Sequence, residues 1–189
     1  VNVTIQCDDA QTVAANGNAS ATDNCAANPT VSHADVVDLT GCNGTGTILR
    51  TFTADDNHVD PLTGNSNTDA CTQIITVIDT EDPVLTGFVD PTAYCSIVDL
   101  PRFDFAAFLA AGGTGSDNCG LDTASFCFHG QTKTVQTCPM TVVETYTMKD
   151  NCGNESSVTV TFTVDDTQDP GWDNTPAIAD VTINCEDDN

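Results

Sequence analysis

Four stretches of the chain alternate apolar and polar residues with a period of two. In residues 157–166 the apolar positions Val158, Val160, Phe162 and Val164 share one face, and threonines occupy the other. The same alternation runs through residues 47–55, 72–79 and 140–150. Alternation rich in Thr, Val, Ile and aromatic residues is typical of half-buried β-strands. Because Gly, Asn and Asp turns separate these strands, the pattern predicts an all-β sandwich.

One segment has the spacing of a helix rather than a strand. Its apolar residues recur at Phe105, Phe108 and Leu109. Pro101 lies ahead of them and Gly112 follows, as is common at the start and the end of a helix. We therefore predict a short helix here, where the first half of the chain has only the looser stretch AQTVAANGN. The aromatic side chains of this helix are expected in the core rather than in a ligand site.

The chain repeats itself. Three phrases return with small changes: VTIQCDD at 3–9 as VTINCED at 181–187, ATDNC at 21–25 as GSDNC at 115–119, and TQIITVIDTEDP at 72–83 as TVTFTVDDTQDP at 159–170. Each repeat closes with an acidic phrase that ends in Asp-Pro, so this phrase marks the junction between units. We predict a first sandwich repeat at residues 1–83, a second at 84–170 and the start of a third at 171–189. The chain is expected to be a segment of a longer repetitive protein.

The cysteine content indicates an oxidising compartment, because the chain has ten cysteines in 189 residues. Zinc is disfavoured, since no CxxC occurs and no histidine lies near a pair of cysteines. Small units need covalent reinforcement. Alignment of the repeats leads us to pair the cysteines within each unit: Cys7 with Cys25, Cys42 with Cys71, Cys95 with Cys119, and Cys138 with Cys152.

Two cysteines are left by that pairing. Cys185 aligns with Cys7, so its partner is expected beyond residue 189. Cys127 has no counterpart in the first unit. It is either a buried free thiol between Phe126 and Phe128, or a sign that the pairing in the second unit is wrong.

The charge is strongly one-sided, with 28 Asp and Glu against four Lys and Arg and a net charge of −24. This balance excludes nucleic-acid binding, which needs a basic patch on the protein surface. No run of 18 apolar residues is present, so the sequence predicts no membrane-spanning helix. A compact protein with this charge repels itself unless counter-ions bind to it.

The acidic residues cluster at strand ends, together with Asn. Hard divalent cations prefer carboxylate, amide and carbonyl oxygens, and Ca²⁺ takes six to eight of them. We predict Ca²⁺ ligands among Asp23, Asp55, Asp56, Asp79, Glu81, Asp82, Asp117, Asp150, Asp165, Asp166 and Asp169. The alternative is that Asp and Asn are present only as turn-forming residues. The junction phrases and the Asp-Asn loops are expected to converge only if they lie at the same end of the sandwich.

The phrases TDNC, TADDN, TQIITVIDTEDP and KDNCGN together resemble the repeats of large Bacteroidetes gliding-motility adhesins, which are related to hyalin-repeat modules. This resemblance covers nearly the whole chain. It implies tandem immunoglobulin-like β-sandwiches on a cell surface, exported by the type IX secretion route, with an adhesion or stalk function. The chain departs from the pattern at residues 55–71, where DDNHVDPLTGNSNTDAC stands in place of DNCGN.

We expect the chain to be non-catalytic, because its carboxylates are too numerous to single out a pair and its histidines lie in strand-like or variable segments. The expected function is that of an extracellular, calcium-stiffened spacer or adhesive rod in a surface adhesin or filament. Its expected partners are neighbouring repeats and other copies in a filament or bundle. The alternative is a ligand- or carbohydrate-binding module of a secreted protein, but few Trp and Tyr residues are available for a sugar platform.

Overall fold

The computed structural model describes residues 1–26, 28–64, 66–134 and 138–166. The predicted start of a third repeat, together with Asp169 and Cys185, lies outside the described residues. The described strands are β1 (Val3–Gln6), β2 (Thr30–Asp38), β3 (Gly46–Val59), β4 (Ser66–Ile78), β5 (Val84–Thr86), β6 (Val89–Tyr94), β7 (Thr114–Ser116), β8 (Leu121–Lys133), β9 (Met140–Asp150) and β10 (Glu155–Val164). The helices are α1 (Val13–Asn16) and α2 (Phe105–Ala110), with 3₁₀ turns at Cys42–Gly44 and Ile97–Asp99.

Two four-stranded sheets share one topology. The first has the order β1-β4-β3-β2 and the second the order β6-β10-β9-β8. In each, the first strand pairs in parallel with the last, and the other neighbours are antiparallel. A two-stranded sheet, β5-β7, accompanies the second. The predicted all-β, disulfide-stapled sandwich is confirmed, and so are the four strands predicted from alternation. The boundary between residues 83 and 84 stays a prediction.

The larger core belongs to the second sheet. Val142, Tyr146 and Phe162 are fully buried, as the period-two pattern of β9 and β10 predicts. Helix α2 packs Phe108 against this core, and the centres of the Phe108 and Phe126 rings are 4.9 Å apart. Asp104 caps α2 by accepting a 2.8 Å hydrogen bond from the Ala107 N–H. The predicted helix and its aromatic core are therefore confirmed.

The first sheet has a smaller core, in which Ile48, Ile75 and Val77 are buried. Polar contacts supplement it: buried Arg50 donates two 2.8 Å hydrogen bonds to the Asp35 carboxylate. The stretch predicted to be loose contains α1, whose N-cap is Thr12. Sequence periodicity missed this helix because a single turn has no repeat to detect. Its cap and tertiary hydrogen bonds hold it, including one of 2.7 Å from Gln73 Nε2 to the Asn16 carbonyl.

Strand register defines two ends in each unit. At the exit pole the first and last strands finish together, since Gln6 pairs with Ile78 and Tyr94 with Val164. At the opposite end, the entry pole, Thr30 pairs with Asp55 in the first unit and Leu121 with Asp150 in the second. The loops that follow these residues therefore meet at the poles, where the candidate site is built.

Candidate metal centre at the junction of the two units

Two disulfides join the exit pole of the first unit to the entry pole of the second. Cys7 follows β1 and bonds to Cys119, with their Cα atoms 5.9 Å apart. Cys42 precedes β3 and bonds to Cys152, with a Cα separation of 5.2 Å. Both bonds cross between units, and they close 112 and 110 residues of sequence respectively.

The predicted pairing within units is wrong. Repeat alignment placed Cys7 with Cys25 and Cys119 with Cys95, but register puts the two members of each couple at opposite poles of one unit. The same correction applies to the couples Cys42 with Cys71 and Cys138 with Cys152. Both disulfides of the described residues therefore join cysteines of different units.

Five described cysteines remain free and exposed: Cys25, Cys71, Cys95, Cys127 and Cys138. The free state of Cys127 agrees with one of the two alternatives, but its predicted burial is wrong. It lies on β8 between buried Phe126 and exposed Phe128, in a part of the strand whose register to β9 is irregular, and its side chain is exposed.

Amide side chains form hydrogen bonds between the two units beside the disulfides. Asn43 donates to the carbonyls of Cys119 and Gly120, at 3.2 Å for the latter. Asn151 donates to Asn43 Oδ1 at 3.0 Å, and Asn118 donates to Asp8 Oδ1 at 3.3 Å. Gly120 has φ +119°, and a Cβ there would meet Asn43 Nδ2 at 2.6 Å. The positive φ favours glycine at this position.

Three carboxylates converge across the same junction. Asp79 follows β4 of the first unit, and Asp117 and Asp150 belong to the entry pole of the second. One oxygen from each lies within 4.8 Å of the other two. Asp150 is 2% exposed, whereas Asp79 and Asp117 are half-buried. No Lys or Arg among the described ion pairs neutralises them.

Local hydrogen bonds hold the Asp117 and Asp150 side chains in place. Asp117 Oδ1 accepts from the N–H groups of Cys119 and Gly120, at 2.9 and 2.7 Å. Asp150 Oδ1 accepts three backbone N–H groups, and its Oδ2 accepts Asn154 Nδ2 at 2.6 Å. An ionised carboxylate has about four acceptor sites, so Asp150 Oδ2 keeps one open.

Three buried oxygens at the site have no hydrogen-bond partner: Asp79 Oδ2, Asp117 Oδ2 and Asn118 Oδ1. Buried polar atoms are normally paired, and an orphaned one in a native protein needs an explanation. Ionised carboxylates and an amide oxygen cannot pair these atoms with each other, because all of these oxygens only accept hydrogen bonds. Within the described part of the chain, the site therefore offers hydrogen-bond acceptors, and no ion pair with Lys or Arg neutralises them.

The electrostatics of the cluster differ between its members. Burial raises the pKa of Asp79 above its ordinary value of 3.8, and the charges of Asp150 and Asp117 raise it further. Burial also acts to raise the pKa of Asp150, but the hydrogen bonds from Asn154 and from the Cys152 and Gly153 backbone outweigh it and lower the pKa. Asp150 is therefore held ionised, whereas the ionised form of Asp79 is destabilised.

The donor set fits a hard cation. Three carboxylates, the orphaned amide oxygen and nearby backbone carbonyls are oxygen ligands of the type Ca²⁺ prefers. The sulfurs of Cys7 and Cys119 lie close to Asp79, but they are consumed by the disulfide and are not thiolate ligands. The residues present can hold Ca²⁺, with the remaining positions open to water.

The other predicted ligands lie apart from this cluster. Asp23, Asp55 and Asp56 are at the entry pole of the first unit, and Asp165 and Asp166 follow β10 at the exit pole of the second. Glu81 and Asp82 are exposed beyond Asp79. The Asp-Asn loop and the junction phrase of one unit lie at opposite poles, so they meet only between successive units. Sequence reasoning named all three clustered residues but did not separate them from the remainder.

Comparisons with known proteins add little. No family model and no curated protein matches the chain. Among solved structures, extracellular cadherin domains 1–5 of protocadherin gamma B2 align with 12% identity and a TM-score of 0.28. The alignment covers 89% of this chain and 39% of the cadherin chain, so the chain spans less than half of that structure. A TM-score this low does not establish a shared fold. Within the described residues, no helix has the length and apolarity needed to cross a bilayer.

Proposed function

We propose that this chain is a non-catalytic segment of an extracellular surface adhesin or filament, in which Ca²⁺ at the junction stiffens successive β-sandwich units into a rod. The observation that carries the proposal is the convergence of Asp79, Asp117 and Asp150 from two units beside two inter-unit disulfides. Disulfides persist in oxidising environments, which supports an extracellular location.

Ca²⁺ and the disulfides have separate effects at the junction. The disulfides keep the two poles together, but they leave three like charges within 4.8 Å of each other. That repulsion favours any bend that separates Asp79 from the second unit. A bound divalent cation reverses the sign of the interaction, so the same groups then resist bending. The cation supplies this electrostatic link, and Asp150 orients it through its fixed carboxylate.

A carbohydrate platform receives less support from the described residues. Sugar-binding surfaces present exposed aromatic faces, and among the described Phe and Tyr residues only Phe128 is exposed. The Arg102 guanidinium carbon lies 4.0 Å from the centre of that ring and covers one face. A spacer accounts for the repeated topology without requiring such a platform.

Calorimetric titration with Ca²⁺ tests the metal site. The wild type is expected to bind Ca²⁺ in a process that Asp117→Asn weakens by at least tenfold. The matched control, Asp99→Asn, removes the same charge from an exposed 3₁₀ turn outside the cluster and is expected to bind as the wild type does. Absence of heat in the wild type, or equal weakening by both variants, would overturn the metal proposal.

Small-angle X-ray scattering tests the rod. In Ca²⁺ the wild type is expected to give one extended distance distribution, and in EDTA a broader and shorter one. The Asp117→Asn variant should give the broader distribution in both buffers. Unchanged scattering in a wild type that does bind Ca²⁺ would leave the site in place but overturn its stiffening role.

A further inference from the structure

The entry pole of the first unit repeats side-chain contacts found in the half of the junction that the second unit supplies. Asp23 Oδ1 accepts from the N–H groups of Cys25 and Ala26, both at 2.7 Å. Asp117 makes the same two contacts with Cys119 and Gly120. Cys25 therefore has the same local contact with the aspartate two residues before it as Cys119 has in the second unit, and both cysteines lie ahead of the strand at the entry pole, β2 and β8 respectively.

A second pair of contacts extends the match. Asp56 Oδ1 accepts from the His58 N–H at 2.8 Å, and Asn67 Nδ2 donates to Asp56 Oδ2 at 3.2 Å. In the second unit, Asp150 receives the equivalent contacts from the Cys152 N–H and from Asn154. Beside these groups lies an open cavity of 390 Å³, lined by Asp23, Asn24, Cys25, Ala26, Asp56, Asn57, His58 and Asn67.

The exit pole of the second unit matches the other half of the junction. Cys95 directly follows β6, as Cys7 follows β1, and both strands pair in parallel with the last strand of their sheet. Cys138 precedes β9 as Cys42 precedes β3. Asp165 and Asp166 follow β10 as Asp79 follows β4. Cys95 and Cys138 are exposed free thiols.

We propose that the entry pole around Cys25 binds the exit pole around Cys95 of a second copy of this chain, head to tail, and that a Cys25–Cys95 disulfide closes the contact. An interface of this kind is already formed within the chain, where Cys119 of the second unit is bonded to Cys7 of the first. Because the two poles differ, the contact is heterologous and extends into a linear array instead of closing as a dimer. The proposal rests on which cysteines are bonded at the junction inside the chain and does not require Ca²⁺.

The entry pole of the first unit differs from that of the second at positions that determine which cysteines can form a bond. His58 stands where Cys152 stands in the second unit, so Cys138 of the second copy has no cysteine opposite it. Ala26 stands at the position of Gly120 and Pro139 at that of Asn43, so the amide that donates to the Gly120 carbonyl at the junction inside the chain is missing as well. One disulfide is therefore expected at this contact in place of two.

The bond forms by thiol–disulfide exchange with glutathione disulfide as the oxidant. The thiolate of one cysteine attacks glutathione disulfide, forms a mixed disulfide and releases one glutathione thiolate. The thiolate of the second cysteine then attacks the protein sulfur of that mixed disulfide and releases the second glutathione. Two protein thiols become one disulfide, glutathione disulfide takes both electrons, and the two thiol protons go to solvent or to the released glutathione.

The test uses the full 189-residue chain with Cys71, Cys127 and Cys185 replaced by Ser, in a glutathione redox buffer with EDTA. We expect a ladder of linked chains on non-reducing gels, and mass spectrometry of the digest should recover a peptide in which Cys25 is bonded to Cys95. Either Cys25→Ser or Cys95→Ser alone should abolish the ladder, whereas Cys138→Ser should leave it unchanged.

Complementation separates a specific contact from random oxidation. Mixed together, Cys25→Ser and Cys95→Ser chains retain one complete interface per pair and should stop at a covalent dimer. His58→Cys should add a second bond, to Cys138, and make the ladder slower to reduce. Monomers throughout, or cross-links distributed over all pairs of cysteines, would overturn the proposal. Because EDTA is present, either result is independent of the calcium titration.

Discussion

Asp79→Asn is expected to have opposite effects on stability with and without Ca²⁺. The substitution removes one charge from the cluster and keeps the shape of the side chain. The contact of the Glu81 N–H with Asp79 Oδ1, at 3.4 Å, can be kept by the asparagine oxygen. Without a cation the variant loses only repulsion, so it should be more stable than the wild type. With Ca²⁺ present it loses a ligand, so it should be less stable.

The magnitude follows from the geometry of the cluster. Two unit charges at the 4.8 Å limit repel by about 3.5 kcal/mol at an effective dielectric constant near 20 and by about 0.9 kcal/mol in bulk water. Asp79 faces two such charges and is half-buried, so we expect the variant to gain about 1–3 kcal/mol in EDTA. In a chain of this size each kcal/mol raises the melting temperature by about 2–4 °C.

Calcium should act on the wild type in the opposite direction. A ligand at 100 times its dissociation constant stabilises the folded state by about 2.7 kcal/mol. The wild type should therefore melt several degrees higher in Ca²⁺ than in EDTA, and Asp79→Asn should gain little. The order of the two proteins then reverses between the buffers.

The pH dependence of the free energy of unfolding tests independently whether ionised Asp79 destabilises the folded state. The folded-state pKa of Asp79 is raised, so its ionisation destabilises the folded state. In EDTA this contribution lowers the free energy of unfolding as the pH rises from the ordinary pKa of 3.8 through the raised one. Asp79→Asn should lack that decline.

The assay is thermal unfolding under non-reducing conditions, in EDTA and in millimolar Ca²⁺ at equal ionic strength. Glu81→Gln is the matched control, because Glu81 is an exposed acid two residues away and was itself predicted as a ligand. It should behave as the wild type does in both buffers. If Asp79→Asn is less stable than the wild type in EDTA, the repulsion argument is wrong. If Glu81→Gln loses the Ca²⁺ response as well, the ligand set is wrong.

Three further predictions concern the fold and are measured by denaturant unfolding. Phe108→Ala should cost about 3–5 kcal/mol, because that ring is fully buried. The neighbouring Leu109 side chain is 43% exposed, so Leu109→Ala should change stability by about 0.5 kcal/mol or less. Equal costs would contradict the packing of α2. Asp35→Ala should cost about 3 kcal/mol near neutral pH, because it leaves buried Arg50 without its carboxylate partner. The Arg50 hydrogen bond lowers the pKa of Asp35, so the difference between variant and wild type should vanish as the pH falls through that pKa. A difference that persists in strong acid would argue against the ion pair. Cys42→Ser should cost up to about 4 kcal/mol in the chain-entropy account, because the lost bond still closes a long loop when the Cys7–Cys119 bond is intact. A cost below about 1 kcal/mol would mean that the junction does not depend on the Cys42–Cys152 bond.

The sequence determined the local structure where a periodic pattern was long enough to bury one face. Val158, Val160, Phe162 and Val164 alternate with threonines, and that alternation alone specifies β10 and its buried face. The repetition of phrases likewise predicted two units of one topology. By contrast, α1 was missed because its single turn depends on a cap and on contacts from β4, which leave no periodic signal.

Only the tertiary structure decided which side chains meet. The sequence identified the right residue types, and it named Asp79, Asp117 and Asp150 among 11 candidates, but it paired Cys7 with Cys25 because both lie in one repeat. Antiparallel register places Cys25 at the pole opposite to Cys7, a strand's length away. The cysteine beside Cys7 is Cys119 of the next unit. Alignment of repeats shows which positions are equivalent, whereas contacts at a junction join non-equivalent positions of neighbouring units. The direction of each strand therefore determines both the disulfides and the acidic cluster.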